Sequence, residues 1–248
     1  MTDDTIDHDA PTQDAPQVPL SRMKLWLFRL ITIVIIPLFL LGGLELALRI
    51  VGYGYPTAYF EHVKGADVYS VNSRFGLRFF TPEMNRRAGP AYFAKDKPAG
   101  SYRIFVLGGS AAQGVPDPAY GFSEILRTML EETYPDAQFE VVQTAMTAIN
   151  SHVVLPIARD CATHEPDLFI VYMGNNEVVG PFGAGTVFDG FNNRLGTIRT
   201  KVALRKWKVI QLTSNIGHRL RTRNGTPEWE SMSMFIDNHV RADDPRMA

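Results

Sequence analysis

The sequence predicts an α/β fold, a parallel sheet flanked by helices in three layers, preceded by one transmembrane helix. Two observations carry this reading. Apolar runs at 102–107, 139–142 and 167–172 alternate with two stretches of helical spacing. Strand, helix, strand, helix, strand with short connections marks a parallel sheet covered on its faces. The second observation is an uncharged run at 30–44, preceded by Arg22, Lys24 and Arg29 and followed by Glu45 and Arg49. A membrane span needs about 20 mostly apolar residues, and charged side chains near its ends reach the headgroups.

In chain order, residues 1–20 carry five aspartates, three prolines and no Lys or Arg. That composition cannot offset the entropy of ordering, so 1–21 is expected as a disordered acidic tail. Residues 22–51 follow as the anchor, with membrane lipid contacted over 25–51 and Pro37 expected to kink the helix. A cleaved signal peptide and a buried core helix are the alternatives. No clear Ala-x-Ala site follows the run, and a core helix does not explain charges confined to its two ends. Arg22 and Lys24 predict a cytoplasmic N-terminus and an extracytoplasmic remainder. Residues 52–100, rich in Tyr, Phe, Gly and Pro, are expected as an irregular linker or edge region without chemistry.

From 101 to 248 a single partial domain is expected. Its first strand is broken by Gly108 and Gly109. The helix from Phe122 carries Ile125, Leu126, Met129 and Leu130 and ends near Tyr134 and Pro135. After Ser151, Val153, Val154, Ile157, Ala158 and Cys161 share a helical face, which Pro156 should delay or kink. Ligands of such sheets bind beyond the C-terminal ends of the strands, and three motifs lie there.

The chain is 45% hydrophobic and 21% charged with a formal charge of -1. It buries a core, and it has no global attraction for nucleic acid. One cysteine, Cys161, excludes an internal disulfide and reads as a small buried hydrophobe. The histidines, His8, His62, His152, His164, His218 and His239, are scattered without metal-ligand spacing. No metal or cofactor is predicted. Between 194 and 223 nine Lys or Arg residues occur with no acidic one. They are either the solvated face of one or two helices or an interfacial segment attracted to anionic headgroups.

The first motif, Gly108-Gly109-Ser110-Ala111-Ala112-Gln113-Gly114, would lift Ser110 off a strand end onto a helix start. A phosphate-cradling loop would need a Lys-Ser/Thr pair that is absent, which also weighs against a nucleotide-binding module. The second runs from Gln143 to Asn150 after strand two. The third is Gly174-Asn175-Asn176-Glu177 after strand three, where amides can donate to a developing oxyanion, or simply form a turn.

The turn at Ser110 together with Gly174-Asn175-Asn176-Glu177 resembles the SGNH/GDSL hydrolases, most closely a bacterial membrane-anchored subset followed by tetratricopeptide repeats. The resemblance spans 102–177 and implies a flavodoxin-like three-layer fold in which a serine attacks an ester. It implies Ser110 as nucleophile, with the Ser110 amide, the Ala148 amide and the Asn176 side chain as oxyanion donors. Substrates would be ester or acylated small molecules, lipids or glycans. Three positions depart from the family: Gly109 stands for Asp, Ala148 for the oxyanion Gly, and Glu177 for Asp. The family's Asp-x-x-His is absent. Asp237-Asn238-His239 is one residue short of it, and three of about five expected strands are found, so the domain is expected to be incomplete. A serine hydrolase or acyltransferase is one expectation; the other is a membrane-tethered binding or scaffold protein on a decayed hydrolase fold.

Overall fold

The computed structural model describes residues 21–174, 176–186, 188, 194–221, 236, 240, 241 and 243–245. The expectations for 1–20, for Asn175 and for 237–239 lie outside these residues. Two compact units divide between Ala47 and Leu48.

The N-terminal unit is helical. Helices α1 (Arg22–Leu30) and α2 (Ile36–Ile50) are joined by a π-helical turn at Ile31–Ile35 into one run of 29 residues. At 1.5 Å per residue this is about 43 Å, longer than the ~30 Å hydrocarbon layer. Ser21 caps the start, its hydroxyl accepting from the Lys24 amide. Pro37 has no N–H, and its ring would meet the carbonyl of Ile33 in a regular helix; the π turn directly precedes it and widens the backbone there. None of the apolar side chains in the run is buried, unlike those of a core helix. One helix near the N-terminus is therefore long and apolar enough to cross a membrane.

The second unit holds two sheets. Residues 52–100 are more regular than the sequence predicts: β1 (Phe60–His62), β2 (Val68–Val71) and β3 (Tyr92–Ala94) form an antiparallel sheet in the order β1-β2-β3. The strands are three or four residues long, too short to show a period of two. Their aromatic residues supply much of the core. Phe60 and Phe93 meet edge to face at 4.8 Å, and Phe93 meets Phe105 at 5.6 Å. Tyr59, Phe75, Phe79 and Phe80 are buried in the same cluster.

The main sheet has the order β5-β4-β6, all parallel, from β4 (Ser101–Gly108), β5 (Gln138–Gln143) and β6 (Leu168–Tyr172). Helix α4 (Phe122–Thr133) connects β4 to β5, and α5 (Ser151–Cys161) connects β5 to β6. The central strand is the most buried. Phe105 and Leu107 join the cluster formed with Val153, Val154, Ile157 and Cys161 of α5, so α5 covers one face. On α4's side Tyr134 of the helix exit and Tyr102 of β4 both meet Phe139. Pro156 does not interrupt α5, because three fully buried side chains, Val153, Ile157 and Cys161, hold the helix on the sheet across it. Burial pushes the Cys161 thiol up to about 12, as suits a small hydrophobe. β6 is the outer strand among the described residues. Leu168, Phe169, Val171 and Tyr172 are exposed, although an apolar run of this kind ordinarily lies inside a parallel sheet.

Two polar residues fasten these layers. Arg103, fully buried in β4, donates from Nε to Glu140 of β5 at 2.8 Å, from Nη1 to the His164 carbonyl at 2.9 Å and from Nη2 to the Ala94 carbonyl at 2.9 Å. Its guanidinium also lies over the Phe93 ring at 4.9 Å. Its backbone N–H donates to Asp167 at 2.6 Å, while Asp167 also accepts from Lys97. Lys97 and this amide hold the Asp167 carboxyl below the usual carboxylate range.

The second is Gln211. The described part of the basic segment folds as α6 (Leu195–Leu204) and α7 (Lys208–Arg221). Gln211, fully buried, accepts from the Tyr55 amide at 2.9 Å and donates to the Tyr55 carbonyl at 3.1 Å, pairing α7 with the chain before β1.

Arg103→Met would leave the Glu140 carboxylate and the part-buried carbonyls of His164 and Ala94 without their donor. It should lower unfolding free energy by about 3–5 kcal/mol, read by urea denaturation of the detergent-solubilised chain. A second expectation concerns acid. Burial, reinforced by Arg103, lowers the pKa of His164, with Asp160 opposing. The unfolded chain therefore takes up this proton first, so the contribution is complete above the free-histidine value of about 6.5 and is lost as pH falls below it toward the folded value. His152 titrates in the same sense. Melting temperature should fall between about pH 7 and 5.5, and less steeply in His164→Gln; equal slopes would contradict this.

Candidate active site

The three motifs lie beyond the carboxyl ends of adjacent strands. Ser110 follows β4 and opens the short helix α3 (Ser110–Gln113), after Gly109 in extended conformation. Gly108 makes the turn possible. It adopts φ +155, and a Cβ there would sit 2.0 Å from the Tyr172 carbonyl oxygen and 2.6 Å from the Ala112 Cβ. Only glycine allows β4 and β6 to approach this closely. Ser110 is partly exposed. Neither its hydroxyl nor its amide bonds to another described residue.

The segment after β5 is drawn to the same end. The Met146 amide donates to the Gly108 carbonyl at 3.0 Å, and the Thr144 amide to Val106 at 2.8 Å. A side-chain relay adds to this. Thr147 Oγ1 donates to Gln113 Oε1 at 2.7 Å, and Gln143 Nε2 donates to the Gln113 carbonyl at 3.0 Å. Thr147 adjoins Ala148, so Gln113 couples the Ser110 turn to the Ala148 turn. Ala148 has φ +61, in the left-handed region that glycine adopts freely, and it is buried beside Met84. The residue thus bears the strain that an alanine at this position implies, and its amide has no partner among the described residues.

The segment after β6 docks on the N-terminus of α5. Glu177 accepts from the Ser151 amide at 3.0 Å and the Ser151 hydroxyl at 2.7 Å, a carboxylate at the positive end of the helix. Asn150, fully buried, donates from Nδ2 to the Pro181 carbonyl at 2.9 Å. Gly180 packs against it; a Cβ there would lie 2.8 Å from the Asn150 Cβ. The Gly180 amide donates to the Asn176 carbonyl at 2.7 Å, closing the turn. Asn176 Nδ2 is buried and bonded to nothing described, as are Asn150 Oδ1 and Gln143 Oε1.

Ser110, Ala148 and Asn176, the candidates from the sequence, each lie on one of these three interlocked turns. Gln113 and Glu177, which lock these turns, are not among the candidates from the sequence. For the first, a glutamine within the 108–114 motif is visible in the sequence, but its burial is not. For the second, no local pattern marks a carboxylate that caps a helix twenty-six positions back.

No described histidine bonds to Ser110. His164 packs among Phe60, Tyr69 and Phe93, His62 against Tyr69, and His152 against Phe182. His218 pairs with Glu83 at 2.9 Å. No group of three metal-ligating side chains occurs among the described residues. Comparison with family models, with curated proteins and with solved structures yields no match to this chain.

The two strained positions give a direct check. Gly108→Ala should cost about 3 kcal/mol or more, because a carbonyl of the neighbouring strand must move. Ala148→Val should cost about 2 kcal/mol, since a β-branched side chain tolerates positive φ worse than alanine. Thermal unfolding of both variants would show wild-type midpoints if these turns were relaxed.

Proposed function

We propose that this chain is a membrane-anchored serine hydrolase of SGNH/GDSL type, acting on ester bonds or transferring the acyl group to another hydroxyl. The supporting observation is the buried Asn176 Nδ2, a donor with no described partner on the turn after β6, the strand paired with the β4 that Ser110 follows. Leaving a buried amide unpaired is costly, and such groups persist where a ligand supplies the acceptor.

In this reading Ser110 Oγ attacks the acyl carbonyl and its proton passes to a base. The Ser110 amide, the Ala148 amide and Asn176 Nδ2 donate to the oxyanion of the tetrahedral intermediate. Collapse breaks the ester C–O bond and releases the alcohol, which takes the proton back. Water then hydrolyses the Ser110 ester, or an acceptor hydroxyl removes the acyl group. A small substrate, a lipid or a glycan is compatible with this chemistry. The reading requires a base that the described residues do not bring to Ser110.

That requirement favours a second reading, a membrane-tethered binding or scaffold protein on a hydrolase fold. The two are separated by a fluorophosphonate probe applied to membranes holding the chain. Labelling that is abolished in Ser110→Ala and slowed about 10²–10³-fold in Asn176→Ala supports the hydrolase. Folded, unlabelled protein supports the scaffold. We further propose that the N-terminus is cytoplasmic and the second unit extracytoplasmic. Protease added to spheroplasts should then digest the second unit; its protection would reverse the orientation. Attraction of the 194–223 cations to anionic headgroups belongs to the same proposal.

A further inference from the structure

A cavity beside α5 gathers more positive charge than the fold neutralises. It has a volume of about 410 Å³ and opens between segment 57–59, the outer side of α5 and α6. Three arginines line it, Arg78, Arg159 and Arg199, with His152 and one carboxylate, Asp160. The charge of that carboxylate acts on Arg78, but its hydrogen bonds go to the backbone. Its Oδ2 accepts from the backbone amides of Tyr59 and Phe60, not from a guanidinium.

Arg78, half-buried, is held in the cavity wall. Its Nε donates to the Val202 carbonyl at 3.3 Å and its Nη1 to the Thr57 carbonyl at 3.1 Å. Its Nη2 has no described partner. Arg159 and Arg199 stand exposed at the mouth and form no hydrogen bond or ion pair with any described residue. Three guanidinium charges less one carboxylate leave a formal charge of +2, with His152 neutral. Burial keeps His152 toward its neutral form, and Arg199 acts in the same direction against Glu177. The remaining wall is apolar, with Leu155, Ile198 and Val202.

We propose that this cavity binds a phosphomonoester, with its phosphate among Arg78, Arg159 and Arg199 and its organic part against Leu155, Ile198 and Val202. A phosphomonoester carries about -1.5 to -2 charges at neutral pH and three acceptor oxygens, which matches the excess charge and the three donor groups. A carboxylate offers one charge and two oxygens, leaving one guanidinium unmatched. The same chemistry occurs in a soluble phosphorylated metabolite and in the headgroup of phosphatidic acid. Ser110 does not line the cavity, and the proposal does not depend on its reactivity.

The test uses the full chain in detergent, followed by thermal unfolding at constant ionic strength. The probes are inorganic phosphate, glycerol 3-phosphate and dihexanoyl phosphatidic acid. A saturable rise in the midpoint with any of the three is expected, because a ligand of the native state stabilises it. Arg159→Gln/Arg199→Gln should bind at least ~10-fold more weakly, each single variant falling between. Both side chains are exposed and unpartnered, so the variants' midpoints without ligand should match wild type. Tighter binding of the phosphatidic acid assigns the site to a lipid headgroup; equal or tighter binding of glycerol 3-phosphate assigns it to a soluble ligand. No saturable rise with any probe, or the same rise in the double variant, overturns the proposal.

Discussion

The second unit depends on a buried guanidinium. Removing Arg103 from water is tolerable only because each of its three kinds of donor nitrogen meets an acceptor, and those acceptors come from three places: β5, the end of β3 and the turn before β6. A single side chain therefore ties the parallel sheet to the small antiparallel one, beside the Phe93–Phe105 contact. It also fixes β4, the strand that ends in Gly108 and the Ser110 turn. An apolar residue in its place would fill the volume without specifying which carbonyls lie around it.

The candidate site inverts that arrangement. Around Arg103 the donors are satisfied, whereas around Ser110 several are idle: the Ser110 and Ala148 amides and Asn176 Nδ2 among the described residues. The surrounding turns are nonetheless firmly held, through Met146 to Gly108, Thr147 to Gln113, Asn150 to Pro181 and Ser151 to Glu177. Rigid turns with unused donors cost stability. The left-handed Ala148 belongs to the same balance, since its strain is borne by bonds on either side of it.

The parallel sheet was legible because its strands are continuous apolar runs, long enough for their burial to be read locally. Each observed strand falls within a residue or two of its expected range. The antiparallel sheet was not, because its strands are short and their order comes from partners far along the chain, such as Phe93 against Phe105. Gln211 is a similar case: nothing near it announces that both polar atoms will meet the backbone of Tyr55, 156 positions away.

By itself the sequence determined the apolar helix, the alternation of strand and helix, and the residue types at the three turns, since each follows from local composition and spacing. The tertiary structure decided that Ala148 is left-handed, that Gln113 and Glu177 interlock the turns, and that Arg78, Arg159 and Arg199 share one cavity. These depend on which distant segments touch, and contact across a fold is set by the packing of whole layers rather than by any window of residues.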